Sequence, residues 1–378
     1  MPHFGAGQSA AHAGGNECAA ARHGEDAARR PVQSRTADLA GLPHPGTGPH
    51  LPARPVAGER VEAVLLKGPT CVGKTRLVVE LAKRLPLRVI SVDSACVYRG
   101  LDIGTAKPGP EERRIAPHYL IDLCSPHERY SAARFAEDAR REIARARELG
   151  QVPVLVGGTM LYFRALEQGL ADLPGADAAL RKAIQARAGR EGWPALHEQL
   201  RQLDPAAAAR ISPNDGARIE RALEVLRLTG RPISELWLDA SGAAPPGYLK
   251  FALIPEDRGA WRRRIEERFD DMMKRGWLDE VRALHALGID PGLPAARIAG
   301  YRQLLEHLDG QFSLDEAKVR GIRATKALGR RQLTWLRAER DIVRLFEGIP
   351  RCAARLEEEI HSHWRIREGL AAPGEDCK

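Results

Sequence analysis

The sequence carries one complete phosphate-binding motif. Its residues are Gly68-Pro69-Thr70-Cys71-Val72-Gly73-Lys74-Thr75, which fit the pattern G-x-x-x-x-G-K-[ST]. The motif follows a short apolar run and precedes an amphipathic stretch, as a loop between strand and helix must. In such a loop, backbone N–H groups, a lysine ammonium and a hydroxyl that binds Mg²⁺ hold two adjacent phosphates. The motif therefore predicts a diphosphate site, with Thr75 as the Mg²⁺ ligand, and leaves the rest of the ligand open.

Two more polar positions follow apolar runs that resemble strands. Asp93 ends the segment Ser91-Val92-Asp93-Ser94, and Thr159 follows the pair Gly157-Gly158. Because the carboxyl ends of parallel strands meet at one edge of a sheet, both side chains are expected near the phosphate loop. By position alone, Asp93 could be a magnesium ligand, a helix cap or a catalytic base. The two glycines could equally well just form a turn.

Composition sets the class of protein that must position these residues. The 378 residues are 43% hydrophobic and 29% charged, enough for one large domain or two modest ones. No run approaches eighteen apolar residues and no secretory leader is evident, so we expect a cytoplasmic protein without a membrane segment. The six cysteines stand singly, without a Cys-x-x-Cys pair, which argues against a zinc finger or a disulfide framework.

Residues 1–60 differ in kind from the rest of the chain. They contain 13 Ala, 9 Gly, 7 Pro and a single aromatic residue. This composition predicts a disordered, low-complexity extension. A mitochondrial targeting segment is an alternative, against which four acidic residues argue, since such segments avoid them: Glu17, Glu25, Asp26 and Asp38. An over-extended start codon is a further alternative.

From residue 61 onward, short apolar runs alternate with helical stretches. The predicted strands are Val61–Lys67, Leu87–Val92, Tyr119–Leu123, Val152–Val156 and Tyr248–Ile254. The predicted helices around them are Arg76–Arg84, Tyr130–Leu149, Trp261–Leu287, Arg297–Leu308 and Leu314–Glu339. This alternation predicts an α/β fold with a parallel, P-loop NTPase-like core at 61–176. A helical insertion is expected at 177–247, a helical return to the core at 248–345, and a C-terminal helix and tail at 346–378.

The last long predicted helix is strongly basic. Residues 320–344 contain eight Arg or Lys against two acidic residues, a net charge of +6. At 100° per residue, four basic residues share one stripe: Arg323, Lys326, Arg330 and Arg337. A second stripe, predicted to pack, holds Ala324, Leu328 and Trp335, with Arg331 projecting onto it. The basic stripe predicts a surface that attracts a polyphosphate.

Six blocks of sequence together resemble the bacterial tRNA dimethylallyltransferase (tRNA isopentenyltransferase) family. The resemblance covers about 280 residues, from Leu65 to Arg344. The blocks are Gly68–Thr75, Ser91–Pro108, Leu155–Phe163, Asp204–Leu226, Gly300–Gln303 and Arg330–Arg337. Several blocks in the family's order are far more specific than the phosphate loop alone.

The resemblance implies an activity and roles for particular residues. The activity is transfer of a dimethylallyl group from dimethylallyl diphosphate, with Mg²⁺, to N6 of adenosine 37 in tRNAs that read codons beginning with U. It implies that the loop binds the diphosphate together with Arg264, that Asp93 is the general base, and that Thr159 lies at the leaving oxygen. The insertion would move against the anticodon loop, and we expect the chain to act as a monomer.

The resemblance also implies four tRNA-contacting segments. They are Asp93-Ser94-Ala95-Cys96, Ala217-Arg218-Ile219-Glu220-Arg221, Arg297-Ile298-Ala299-Gly300-Tyr301-Arg302 and Arg330-Arg331-Gln332-Leu333-Thr334-Trp335-Leu336-Arg337. Ala217 and Ala327 stand where the family commonly has glutamine, which affects individual tRNA contacts and not the chemistry. The paired cysteines of the zinc finger in eukaryotic relatives are missing near Cys352.

Three other functions fit part of this pattern. A P-loop kinase would use Asp93 for magnesium, and a related enzyme would prenylate free adenine nucleotides. The basic segment argues against both, because a small acceptor needs no extended basic surface. An RNA-binding protein with a vestigial loop is the third, but Lys74, Asp93 and Thr159 are all present.

Overall fold

The structure, a computed structural model, describes residues 61–171, 173–239, 247–346 and 348–364. The predicted extension at 1–60 and the tail beyond residue 364 lie outside these residues. All the described residues belong to one structural unit. Within them, no helix combines the length and the apolar character that a bilayer crossing requires.

A parallel sheet forms the centre of this unit. Its strands are β1 (Ala63–Lys67), β2 (Leu87–Val92), β3 (His118–Tyr119), β4 (Val152–Gly157), β5 (Tyr248–Leu253) and β6 (Val343–Leu345), in the order β3-β2-β4-β1-β5-β6. Every pairing between them is parallel. β1, β2 and β4 are buried along their whole length, as apolar runs covered on both faces must be. The α/β class predicted from the sequence is confirmed.

Helices cover both faces of the sheet. The first four are α1 (Lys74–Ala82), α2 (Pro110–Ile115), α3 (Ala132–Glu148) and α4 (Met160–Gln168). Alternate residues of β1 face two separate apolar cores: Leu65 packs with α3 and α4, and Leu66 packs with α1. The carboxyl ends of β1, β2 and β4 therefore meet at one edge, where the phosphate loop, Asp93 and Thr159 follow.

The segment 173–239 is helical and has an apolar core of its own. Its helices are α5 (Ala178–Glu191), α6 (Trp193–Leu203), α7 (Pro205–Ala208), α8 (Gly216–Thr229) and α9 (Ile233–Asp239). Burial alone would raise the pKa of Glu224, but hydrogen bonds from Arg181 and Arg221 lower it to about 2. This buried ion cluster ties α5 to α8.

The chain then returns to the sheet through β5. The remaining helices are α10 (Arg258–Lys274), α11 (Trp277–Ala286), α12 (Tyr301–Leu308), α13 (Leu314–Ala338) and α14 (Ile349–His363), with a 3₁₀ turn at Ala295–Arg297. α10 and α13 pack closely at two glycines of α13. A Cβ at Gly321 would lie 2.6 Å from Phe269, and a Cβ at Gly329 would lie 2.5 Å from Trp261.

Several predicted element ends are wrong, each for a local reason. The helix predicted at Trp261–Leu287 breaks at Gly276, whose φ of 93° is left-handed, and continues as α11. The helix predicted from Arg297 begins only at Tyr301, because Gly300 has a φ of 92°. The strand predicted at Tyr119–Leu123 stops at Tyr119, since Leu120 and Asp122 also have positive φ.

Candidate active site

The phosphate loop is held in a folded conformation by its own backbone and by β5. Cys71 and Gly73 have φ values of 61° and 100°, which bend the chain into α1. A Cβ at Gly68 would lie 2.8 Å from the carbonyl oxygen of Leu253, so only glycine fits there. Lys74 Nζ donates to the carbonyl oxygens of Gly68 (2.9 Å) and Pro69 (2.7 Å). The lysine therefore lies over the loop that precedes it.

The electrostatics around Lys74 suit an anionic ligand. Desolvation lowers the pKa of Lys74 to about 8, an effect that Asp93 opposes and Arg268 increases. A bound anion would raise the pKa of Lys74 towards its ordinary value, because its negative charge stabilises the lysine ammonium. Lys74, Arg268 and Asp93 thus line one cavity, whose wall also includes the charged residues Arg76, Lys107, Glu112, Asp271 and Arg275.

Asp93 and Thr159 lie where the strand ends predict, beside the loop. Asp93 Oδ1 accepts from the backbone N–H groups of Ala95 (2.8 Å) and Cys96 (3.4 Å). Among the described residues, none donates a hydrogen bond to its second oxygen. Thr159 Oγ1 accepts from the N–H of Ser94 (3.0 Å) and donates to its hydroxyl (3.3 Å). Asp93 lines the cavity, whereas Thr159 lies outside the cavity lining, next to Ser94.

A cavity of about 480 Å³ joins these residues. The phosphate loop contributes Thr70, Cys71, Gly73, Lys74 and Thr75. The segment after β2 contributes Asp93, Ala95, Cys96 and Gly104–Pro108, and the β4 end contributes Gly157 and Gly158. Helices α10 and α13 contribute Ile265, Arg268, Phe269, Met272, Thr325, Leu328 and Gln332. The cavity combines a cationic, loop-lined part with apolar and aromatic side chains.

Arg268 lines the cavity, whereas Arg264, predicted to contact the diphosphate, lies one helical turn earlier and does not line it. The side chain of Arg264 is exposed on the outer side of α10. Arg268 donates from Nη1 to Cys71 Sγ (3.6 Å) in the phosphate loop. The helical period could have shown this, because Trp261, Ile265, Arg268 and Met272 share one face at spacings of three and four residues.

The predicted tRNA-contacting residues divide by burial. Seven of them are buried in the fold: Cys96, Ile219, Gly300, Tyr301, Gln332, Leu333 and Leu336. These residues do not form part of the outer surface, and Cys96 and Gln332 line the cavity. Ten are exposed: Ser94, Ala217, Arg218, Arg297, Arg302, Arg330, Arg331, Thr334, Trp335 and Arg337. The exposed residues remain the candidate RNA surface.

The packing stripe predicted for α13 is also wrong. Trp335, predicted to pack, is 37% exposed, and Arg331 is exposed beside it. The face that packs carries Gly329, Leu333 and Leu336 instead, about 100° around the helix. Lys326, predicted to lie on the basic stripe, forms an ion pair with Glu266 of α10. The outward surface of α13 is therefore formed by Arg330, Arg331, Thr334, Trp335 and Arg337.

Two side chains that the motif did not predict hold the backbone of Thr70. Its N–H donates to Gln332 Oε1 (2.9 Å), and its carbonyl oxygen accepts from Trp261 Nε1 (2.8 Å). They come from α13 and α10, 262 and 191 residues away in the sequence. No local pattern could have predicted these contacts.

Comparison with known proteins gives a consistent result. The IPP transferase family matches residues 96–339. The tRNA dimethylallyltransferase of Thiobacillus denitrificans is 54% identical over 279 residues, which cover 73% of this chain and 88% of that protein. The enzyme of the same name from Bordetella petrii is 53% identical over 280 residues, covering 73% of this chain and 89% of that protein.

A solved structure agrees with the sequence matches. The tRNA isopentenylpyrophosphate transferase of Bacillus halodurans is 35% identical and superposes with a TM-score of 0.60. The superposition covers 81% of this chain and 97% of that one. The family match, the identity to these relatives and the extent of the superposition lead to one conclusion: the chain belongs to the IPP transferase family.

Proposed function

We propose that this chain transfers a dimethylallyl group from dimethylallyl diphosphate to N6 of adenosine 37 in tRNAs that read codons beginning with U. The observation that carries the proposal is a single cavity lined by the phosphate loop with its Lys74, by Arg268 and by Asp93. Relatives named tRNA dimethylallyltransferase, matching over 73% of the chain, support it.

The diphosphate of the donor is proposed to bind the loop amides, Lys74 and Arg268. A diphosphate leaves well only when its developing charge is stabilised, and two cations in one cavity supply that stabilisation. Thr75 lines the same cavity and offers a hydroxyl oxygen, the type of ligand that suits Mg²⁺ beside phosphate groups. Bound there, Mg²⁺ would supply further charge neutralisation to the diphosphate.

Asp93 is proposed as the base that activates the acceptor. An exocyclic adenine amine is a poor nucleophile, so a carboxylate must take its proton as the new C–N bond forms. The N–H groups of Ala95 and Cys96 fix one carboxylate oxygen, which holds the group in place. The adenine of the tRNA must leave the stacked anticodon loop to reach Asp93. Aromatic side chains in the cavity lining, such as Phe269, suit a nucleobase extruded in this way.

The outward surface of α13 favours tRNA over a free nucleotide as the acceptor. Arg330, Arg331 and Arg337 are exposed on it, and Trp335 stands among them with part of its ring accessible. Arginines contact phosphates, and an exposed ring can stack with an unpaired base. A mononucleotide bound in the cavity would use none of these residues.

Label transfer tests the proposal directly. Purified protein is incubated with labelled dimethylallyl diphosphate and with tRNA, an anticodon stem-loop or AMP. We expect label in the two RNAs, with mass spectrometry placing it on adenosine 37. Label on AMP alone would favour the nucleotide-prenylating alternative, and absence of label from every acceptor would refute prenyl transfer.

The variant Asp93→Asn tests whether Asp93 is the general base. An asparagine oxygen can still accept the two backbone N–H bonds, but the amide cannot take a proton. We expect kcat to fall by about 10²-fold or more while tRNA affinity is retained. Loss of donor binding with normal chemistry would instead identify Asp93 as a magnesium ligand.

A further inference from the structure

One side chain of α13 joins the phosphate loop to the loop that follows β4. Gln332 Oε1 accepts from the N–H of Thr70 (2.9 Å), and Gln332 Nε2 donates to the carbonyl oxygen of Gly158 (2.9 Å). The residue is only 8% exposed and lines the cavity. A primary amide is suited to this place, because it offers an acceptor and a donor on one rigid group.

The surrounding residues fit closely around this amide. A Cβ at Gly158 would overlap Gln332 Nε2, so glycine leaves the room that the amide occupies. The carbonyl of Thr70 is held from the other side by Trp261, which packs against Gly329 one turn before Gln332. Both polar backbone groups of Thr70 are thus fixed by side chains from outside the loop.

The link continues to the carboxylate through the backbone. The N–H of Gly158 donates to the carbonyl oxygen of Val92 (3.2 Å), and Asp93 is the next residue. A chain of hydrogen bonds therefore runs from Thr70 through Gln332 and Gly158 to the residue before Asp93. It sets the position of the phosphate loop relative to that carboxylate.

We infer that Gln332 is a positioning residue for prenyl transfer: it fixes the diphosphate-binding loop at the distance from Asp93 that the reaction needs. The inference rests on the proposed function, because it concerns the donor and the base of that reaction. This role differs from the tRNA contact that the family resemblance implies for Gln332. In the structure, the Gln332 amide forms hydrogen bonds to two loops inside the fold.

Two variants break the link from opposite sides. Gln332→Met keeps the volume but removes both hydrogen-bonding groups, and Gly158→Ala displaces Nε2 by occupying its place. We expect each to lower kcat for prenyl transfer to tRNA by about 10²-fold, since ångström-scale misplacement of reacting groups has that effect. The Kd for tRNA should stay within about twofold of the wild-type value.

A control separates positioning from general loss of stability. Leu356→Ala removes buried side-chain volume from α14, away from the cavity, and should lower the melting temperature without lowering kcat at 25 °C. Thermal melts of all variants show whether each is folded under assay conditions. If Gln332→Met does not fold, Gly158→Ala carries the test.

The double variant gives the decisive readout. If Gln332 and Gly158 act through one link, breaking it twice should reduce kcat no further than the slower single variant does. Independent effects would multiply to about 10⁴-fold and would overturn the inference. So would a kcat within about twofold of wild type in either single variant, or a loss confined to tRNA affinity.

The wild-type protein in the same assay reports on the proposed function separately. An inactive wild type would refute prenyl transfer and the inference with it. An active wild type together with unaffected variants would refute the positioning role alone.

Discussion

Replacing Gly329 with alanine should destabilise the protein, although alanine is the better helix former. In an open helix the change would stabilise by about 1 kcal/mol. Here the new Cβ would lie 2.5 Å from Trp261 Cζ2 and 2.8 Å from its Cη2, well inside van der Waals contact. Overpacking of this kind costs about 1–3 kcal/mol. Because Trp261 is itself held against the loop by its hydrogen bond to Thr70, we expect a net loss of about 1–2 kcal/mol.

Urea unfolding followed by circular dichroism measures this change, with Gly189→Ala as the matched control. Gly189 lies within α5, is exposed, and has no atom within 4 Å of its added Cβ. It should therefore gain up to about 1 kcal/mol. Gly329→Ala should also weaken binding of dimethylallyl diphosphate, because displacing the indole loosens the phosphate loop. Equal stabilisation by the two substitutions would show that α13 does not pack as closely on α10 as described.

Two further predictions concern the helical insertion and the basic surface. The pKa of Glu224 in the folded chain is about 2, below its ordinary 4.5, so its contribution is complete above pH 4.5 and declines as the pH falls towards 2. Between pH 6 and pH 3 Glu224 should account for a loss of about 2 kcal/mol in urea unfolding, so the wild type should lose about that much more stability than Glu224→Gln over this range. Arg330→Ala and Arg337→Ala should each reduce the slope of log tRNA affinity against log salt by about one. Lys83→Ala, at the opposite edge of the sheet, should leave that slope unchanged, and a slope unaffected by either arginine would exclude α13 from the RNA surface.

The central strands and the phosphate loop could be predicted because their signals are local. β1, β2 and β4 are apolar runs buried on both faces. The phosphate-loop motif by itself predicts a loop between a strand and a helix. The break between α10 and α11 could not be predicted in the same way. Apolar residues continue at helical spacing through Gly276, and one left-handed glycine is enough to redirect the chain.

The site residues that the sequence missed are those fixed by helix phase or by distant contacts. Arg264 and Arg268 are equally basic and one turn apart, and only their positions relative to the buried face of α10, formed by Trp261, Ile265 and Met272, distinguish the one that lines the cavity. Gln332 lies within a block predicted to contact tRNA, and nothing local reveals that its amide is bonded to the phosphate loop. Tertiary contacts of this kind leave no periodic pattern.

The phase of α13 follows from glycine and not from large apolar residues. A hydrophobic stripe drawn through Leu328 and Trp335 gives weight to the biggest side chains, yet the closest approach to α10 occurs at Gly321 and Gly329. Those glycines set the rotation of the helix, and the rotation decides which neighbours face outward. A turn of one residue, about 100°, would bring Arg330 into the position that Gly329 occupies against Trp261. The contact that fixes the phosphate loop on the inner side of α13 therefore also determines which arginines its outer side presents.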